Sequence, residues 1–200
     1  HIDKNLFNPI KIAIFYHDFG KVIPSFQIEA LKNTTYPIKN LKENIPHSIF
    51  SIFFINKENL NVEEKYKQHI ISAVAYHHWR RNFGLITSQN AEITKFLKST
   101  SQYKIDLIKL LQEEMYDLAE QLNLKIEFNE KLEKNIQNNT PLFKYAISPY
   151  KTELALNKNF IIISGILQRC DHYASWIEEF EENEKYFEYI EISPKSSDDI

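Results

Sequence analysis

The stretch "FYHDFGKVIPSFQ", Phe15 to Gln27, closes an apolar run with a histidine beside an aspartate and then interrupts it with a glycine. The segment Asn8 to Gly20 reads as a helix. Asn8 suits the cap, Pro9 the first turn, and Gly20 the stop. His17 and Asp18 then fall in its last turn, a neutral donor next to an anionic one. An isolated pair of this kind is common by chance, so its meaning depends on what the rest of the chain supplies.

Further helices follow from the same reading. Asn44 to Lys57 has Pro46 near its start and aromatic bulk along it. Val62 to Asn82 has a polar first half and a nearly apolar second half, "IISAVAYHHW", which implies burial at that end. Asn157 to Phe180 is a long helix with an apolar middle. Residues 85–149 differ: 101–124 form an amphipathic helix, 128–141 are polar and loop-like, and the whole reads as a variable helical insertion. The tail 181–200 ends in "SPKSSDDI", a linker composition, which leaves residues 1–180 as the domain. Beta-branched runs such as "FIIISGI" raise the alternative of strands. Their length and the lack of hairpin turns favour helices, so the expected class is all-α.

Composition narrows the function. The 200 residues carry a formal charge of −3, 43% hydrophobic and 26% charged residues, which is ordinary for a globular chain. Cys170 is the single cysteine, so no internal disulfide and no all-cysteine zinc site can form. That suits a reducing, cytoplasmic setting. No run approaches the roughly 20 apolar residues of a membrane span, so no membrane partner is expected. Neither GxGxxG nor a P-loop is present, which argues against ATP binding by this chain.

The informative residues are histidines on apolar stretches: His17, His47, His77 and His78. An unsatisfied polar group in a core costs about 1–3 kcal/mol. A divalent metal satisfies several imidazoles jointly. Asp171, mid-helix in "LQRCDHYASW", is equally expensive to bury alone. Nitrogen ligands with one or two carboxylates suit Zn, Mn, Fe, Co or Ni better than Ca, and Asp18 is placed to bridge two ions. Each piece has a plain structural alternative. Adjacent helical residues diverge by about 100°, so His77 and His78 read alone as one core and one exposed histidine. His47 alone could bond the backbone at a helix start, and Asp171 could pair with Arg169. The ordered set changes this: HD, then H, then HH, then D, each on its own helix.

That order resembles the HD superfamily of metal-dependent phosphohydrolases, and within it the HD nuclease of type I CRISPR systems, the partner of the CRISPR helicase. "HDFGKVIPSFQ" is similar to that group's HD, GK and FQ pattern, "HSIFS" to its H-x-x-x-S helix, "AYHHW" to its paired histidines and "GILQRCDHYAS" to its final helix. The resemblance spans about Ile12 to Ile177. It implies an HD-domain helical bundle with a metal site in its core, holding two divalent transition ions, Mn, Fe, Co or Ni, with Mg as a further candidate. It implies that His17, Asp18 and Asp171 hold one ion together with an upstream histidine, and that Asp18, His47, His77 and His78 hold the other. His1 stands too close to His17 to be that upstream ligand, which is expected in a piece preceding this chain.

Supporting roles follow. Two ions about 3.5–4 Å apart can clamp a phosphodiester and activate water, so no protein nucleophile is required. Asp18 and Lys21 are the catalytic candidates, Lys21 as a phosphate ligand or simply a solvated lysine. Ser51, one turn from His47, supports the ligands or packs the helix. Trp79, Arg80 and Arg81 follow the paired histidines and offer the cation and aromatic faces that single-stranded nucleic acid uses, or a basic helix end. His1, His69 and His172 are read as incidental. The expected function is a metal-dependent nuclease cutting single-stranded DNA in CRISPR interference, with a fused or separate helicase and a surveillance complex as partners. Two alternatives stand beside it: a phosphohydrolase of nucleotides or cyclic dinucleotides, and a degenerate HD docking module.

Overall fold

Among the described residues, four helices position the histidines and aspartates singled out above: α1 (Phe7–Tyr16), α2 (His47–Ser51), α3 (Glu64–Tyr76) and α4 (Lys158–Glu179). The computed structural model describes residues 3–37, 46–78, 115–125, 146 and 157–179, and these include no strand. The class is all-α, as the sequence indicates.

α1 begins earlier than its sequence signals suggest. A 3-10 turn, Lys4–Leu6, leads into it, with the Asp3 carboxylate accepting from the Asn5 N–H at 3.0 Å. Asn8 is therefore not the cap, and its side-chain amide donates to the Asn61 carbonyl at 3.1 Å. The helix also ends at Tyr16 rather than running to Gly20. Gly20 lies in a second 3-10 turn, Phe19–Val22. A Cβ there would overlap the His47 carbonyl oxygen, and would stand 2.7 Å from His47 C and 2.8 Å from Ser51 N. The glycine is needed for close backbone approach to α2, not to stop α1.

Beyond that turn, Ser25–Ala30 forms a short π-helix. α2 follows Pro46, whose carbonyl accepts from Ile49 N at 3.0 Å and Phe50 N at 3.2 Å. It is shorter than the expected span to Lys57. It tightens into the 3-10 turn Ile52–Phe54, extends at Ile55, and turns again at Lys57–Asn59. Residues 48–56 are buried without a break, so this segment threads the interior and its shape is set by neighbours on every side.

α3 buries its second half, His69 to Tyr76, and ends at Tyr76 with His77 as its C-cap. α4 is capped by Asn157, whose side-chain oxygen accepts from Asn159 N at 3.0 Å and Phe160 N at 3.2 Å. Its buried stripe is Phe160, Ile163, Leu167 and Asp171. That helical spacing puts the Asp171 carboxylate where a core side chain belongs.

α4 packs against α3 and α1, α1 against α3, and α2 against both α3 and the Phe19–Val22 turn. Phe15, Phe50, Phe53, Ile70 and Ile71 are fully buried between them. Each such side chain contributes about 1.5–3 kcal/mol, which fixes the bundle before any metal is considered. Of the expected insertion, residues 115–121 are helical and bury Met115 and Ala119. That helix stops at 121 and the chain turns at 122–123, short of the expected 124, while residues 101–114, the polar 128–141 stretch and the tail 181–200 lie outside the described residues. No helix among the described residues is long and apolar enough to cross a membrane.

Candidate metal centre

The carboxyl ends of α1 and α3 meet the amino end of α2 at the level of Asp171 on α4. His17–Asp18 and His77–His78 each sit just where a helix stops. The last carbonyls of a helix lack intrahelical partners. His17 supplies one, with Nδ1 2.6 Å from the Ile14 carbonyl. His77 does the same with Nδ1 2.7 Å from the Val74 carbonyl. A carbonyl only accepts, so Nδ1 carries a proton in both rings, which leaves Nε2 as the atom able to offer a lone pair to a cation. This arrangement also answers the adjacency problem. His77 keeps helical backbone angles, yet the His77 and His78 rings stand 4.1 Å apart by centroid, both turned to the centre.

Two groups of donor atoms result, each within 4.8 Å of one another: His17, Asp18 and Asp171, and His47, His77 and His78. Asp18 lies between them. Its Oδ2 is 3.1 Å from His17 Nε2 and 2.7 Å from Lys21 Nζ. Its Oδ1 is 3.4 Å from His47 Nε2 and 3.8 Å from His77 Nε2. Asp171 reaches His17 Nε2 and His78 Nε2, each at 3.8 Å.

The electrostatics follow from these contacts. Burial alone would raise the Asp18 pKa, but the proximity of His17, His47 and Lys21 outweighs it and holds the carboxyl well below the usual range. Burial pulls the His17 pKa down, and Asp18, Ile14 and Asp171 more than reverse it, so it is raised. His77 goes the other way. Its burial, with His78, His17 and His47 nearby, pushes it well below the ordinary value and keeps it neutral.

A cation fits this centre. Asp18 Oδ1, His47 Nε2 and His77 Nε2 are buried and have no hydrogen-bond partner. The 3.4 Å and 3.8 Å separations among them are too long for hydrogen bonds. Buried polar atoms are rarely left so, and an oxygen anion facing two imidazole lone pairs is a donor set for a divalent ion.

The supporting residues hold backbone rather than rings. Ser51 is fully buried. Its Oγ accepts from Gly20 N–H at 2.8 Å, and its hydroxyl lies 2.6 Å from the His17 carbonyl and 2.9 Å from that of His47. It thus ties the His17 and His47 backbones together. Lys21 is ion-paired to Asp18 and sits over Phe26 at 5.6 Å, rather than standing free in solvent. Phe26 packs edge-on against His47 at 5.3 Å, and Gln27 donates to the Lys21 carbonyl at 3.0 Å. These jobs for Phe26 and Gln27 were not assigned from sequence. The detectable signal for the twin helix ends was the shared spacing of "IFYHD" and "VAYHH".

Of the remaining candidates, Trp79, Arg80, Arg81 and His1 lie outside the described residues. His69 is buried between the Tyr66 and Phe160 rings, at 6.4 and 6.3 Å, and belongs to neither donor group. His172 is exposed on α4.

Comparison with curated proteins and with solved structures gives no match. The family model described as "Cas3, HD domain" matches residues 5–180, which take in every donor of the centre. The chain belongs to the Cas3 HD-domain family of CRISPR-associated, metal-dependent HD nucleases.

Proposed function

We propose that the chain hydrolyses phosphodiester bonds of single-stranded DNA in CRISPR interference. The strand would be delivered by a helicase, fused beyond residues 181–200 or separate, at a surveillance complex. The observation that carries this reading is the set of converging, unpartnered buried atoms on Asp18, His47 and His77, in a chain of this family.

In this reading His17, Asp18 and Asp171 hold one divalent ion, and Asp18, His47, His77 and His78 a second, with Mn, Fe, Co or Ni as the candidates and Mg beside them. Such ions, when bound, supply charge for phosphodiester oxygens and lower the pKa of water towards neutrality. The chain's own residues prepare the site. The Ile14 and Val74 carbonyls fix the tautomers of His17 and His77, and Ser51 holds the His17 and His47 backbones in register. Lys21, one-third exposed, braces Asp18 and presents an ammonium to a phosphate at the rim. Trp79, Arg80 and Arg81 follow His78 directly and would grip bases and phosphates of the strand.

The test is cleavage of circular single-stranded DNA with and without Mn²⁺. Cutting should require the metal, and Asp18→Ala should slow it by at least about a thousandfold, the upper range for losing one charge-stabilising group. Full metal loading with turnover of nucleotides or cyclic dinucleotides, and none of DNA, would replace this reading with the phosphohydrolase one. Neither metal uptake nor turnover would favour a docking module.

A further inference from the structure

Asp18 and Asp171 span the same gap. Asp18 comes from the turn after α1 and gives Oδ2 to the His17 side and Oδ1 to the side of His47 and His77. Asp171 comes from the middle of α4. Its Oδ1 lies 3.8 Å from His17 Nε2 and its Oδ2 3.8 Å from His78 Nε2. Each carboxylate thus has one oxygen facing each imidazole group.

These separations exceed hydrogen-bonding distance. They do match two ligand atoms on one ion, which stand roughly 3–4 Å apart when each bond is about 2.0–2.2 Å. The Asp171 residue is 5% exposed, so its charge calls for compensation from the groups around it. A carboxylate that served only the His17 side would leave its second oxygen facing the His78 imidazole at a distance too long for a hydrogen bond.

We infer that Asp171 bridges both ion positions, as Asp18 does, so that two carboxylates from different elements couple the ions into one unit. The inference rests on the metal-dependent reading above. It assigns Asp171 a ligand role on the side of His47, His77 and His78, beyond the one expected from its family position.

Titrating the metal-free chain with Mn²⁺ tests it, with bound metal counted after dialysis and free Mn²⁺ followed by its electron paramagnetic resonance signal. Wild type should take two ions. The near-isosteric Asp171→Asn, checked for helical content by circular dichroism, should weaken both by at least tenfold, within the range of affinity lost at metal sites through disturbed ligand surroundings. Retention of one ion at wild-type affinity by Asp171→Asn would overturn the bridge and leave the proposed function standing. Failure of wild type to bind Mn²⁺ at all would overturn both. An independent measurement needs no variant. Infrared difference spectra of Mn²⁺-loaded against metal-free wild type, labelled with ¹³C-aspartate, should show two bridging carboxylates. One bridging and one single-sided carboxylate would contradict the inference.

Discussion

At the end of α1 the His17 ring folds back onto the Ile14 carbonyl, and at the end of α3 the His77 ring folds back onto that of Val74. The backbone device is the same, and each delivers one Nε2 lone pair to the centre. The residue after the histidine differs. After His17 comes Asp18, whose negative charge helps raise the His17 pKa. After His77 comes His78, which adds to the burial that lowers the His77 pKa. One helix end is therefore anionic and proton-attracting, and the other is neutral. The first end is also clamped from outside, because Ser51 binds the His17 carbonyl and the Gly20 N–H together. A repeated capping geometry thus builds a centre with unequal halves, and the asymmetry resides in one side chain, Asp or His, at the same place.

The strongest way to break this comparison is to pry the α1 end off α2. Gly20→Ala puts a methyl against the backbone of His47 and Ser51, none of which is the flexible end of a side chain. It should destabilise the protein by about 3 kcal/mol or more in urea unfolding. Unchanged stability would mean the close approach is not real. Ser51→Ala is gentler. It leaves a buried N–H without its acceptor and should cost about 1–3 kcal/mol. Mn²⁺ affinity should fall with it, since both ligand-bearing backbones loosen. A stability loss with unaltered affinity would make Ser51 a packing residue only.

The opposite pKa shifts sharpen the comparison without metal. His17, raised, adds stability that is present below about pH 6.5, its ordinary value, and is lost as pH rises through the raised one. His77, lowered, adds stability present above that ordinary value and lost as pH falls. Relative to wild type, His17→Gln should therefore weaken the chelated protein most in acid, and His77→Gln most near neutral pH. A single proton changes the slope by at most about 1.4 kcal/mol per pH unit. Parallel pH profiles for the two variants would erase the asymmetry. The smallest effect belongs to Lys21→Met. Its partly exposed ion pair with Asp18 should be worth at most about 1 kcal/mol of stability. A much larger loss in DNA cleavage than in stability would assign Lys21 to the substrate.

The residues that gather at the centre, and their order along the chain, were legible because imidazoles and carboxylates are out of place on apolar helices. The helices themselves were legible from periodicity, but their ends were not. Gly20 looks like a helix stop, yet α1 stops earlier, at Tyr16, where the His17 ring caps the Ile14 carbonyl, a contact between a side chain and the preceding turn. At Tyr76 the His77 ring caps the Val74 carbonyl in the same way, and the adjacent histidine rings converge although the His77 backbone stays helical. α2 has no breaker before Lys57. Its early end comes from packing on all sides of residues 48–56, which only the folded neighbours determine. Phe26 and Gln27 were visible as part of a pattern, while their contacts with His47 and Lys21 depend on a π-helix that local propensity does not announce.

The central claim is that side chains from the ends of α1 and α3, from α2 and from α4 form one divalent-metal centre. Anomalous diffraction at the manganese edge, from crystals of the chain grown with Mn²⁺, tests this most directly. Density is expected among Asp18 Oδ1, His47 Nε2 and His77 Nε2, and a second peak beside His17 and Asp171. Well-ordered crystals with no anomalous density within bonding distance of Asp18 would contradict it.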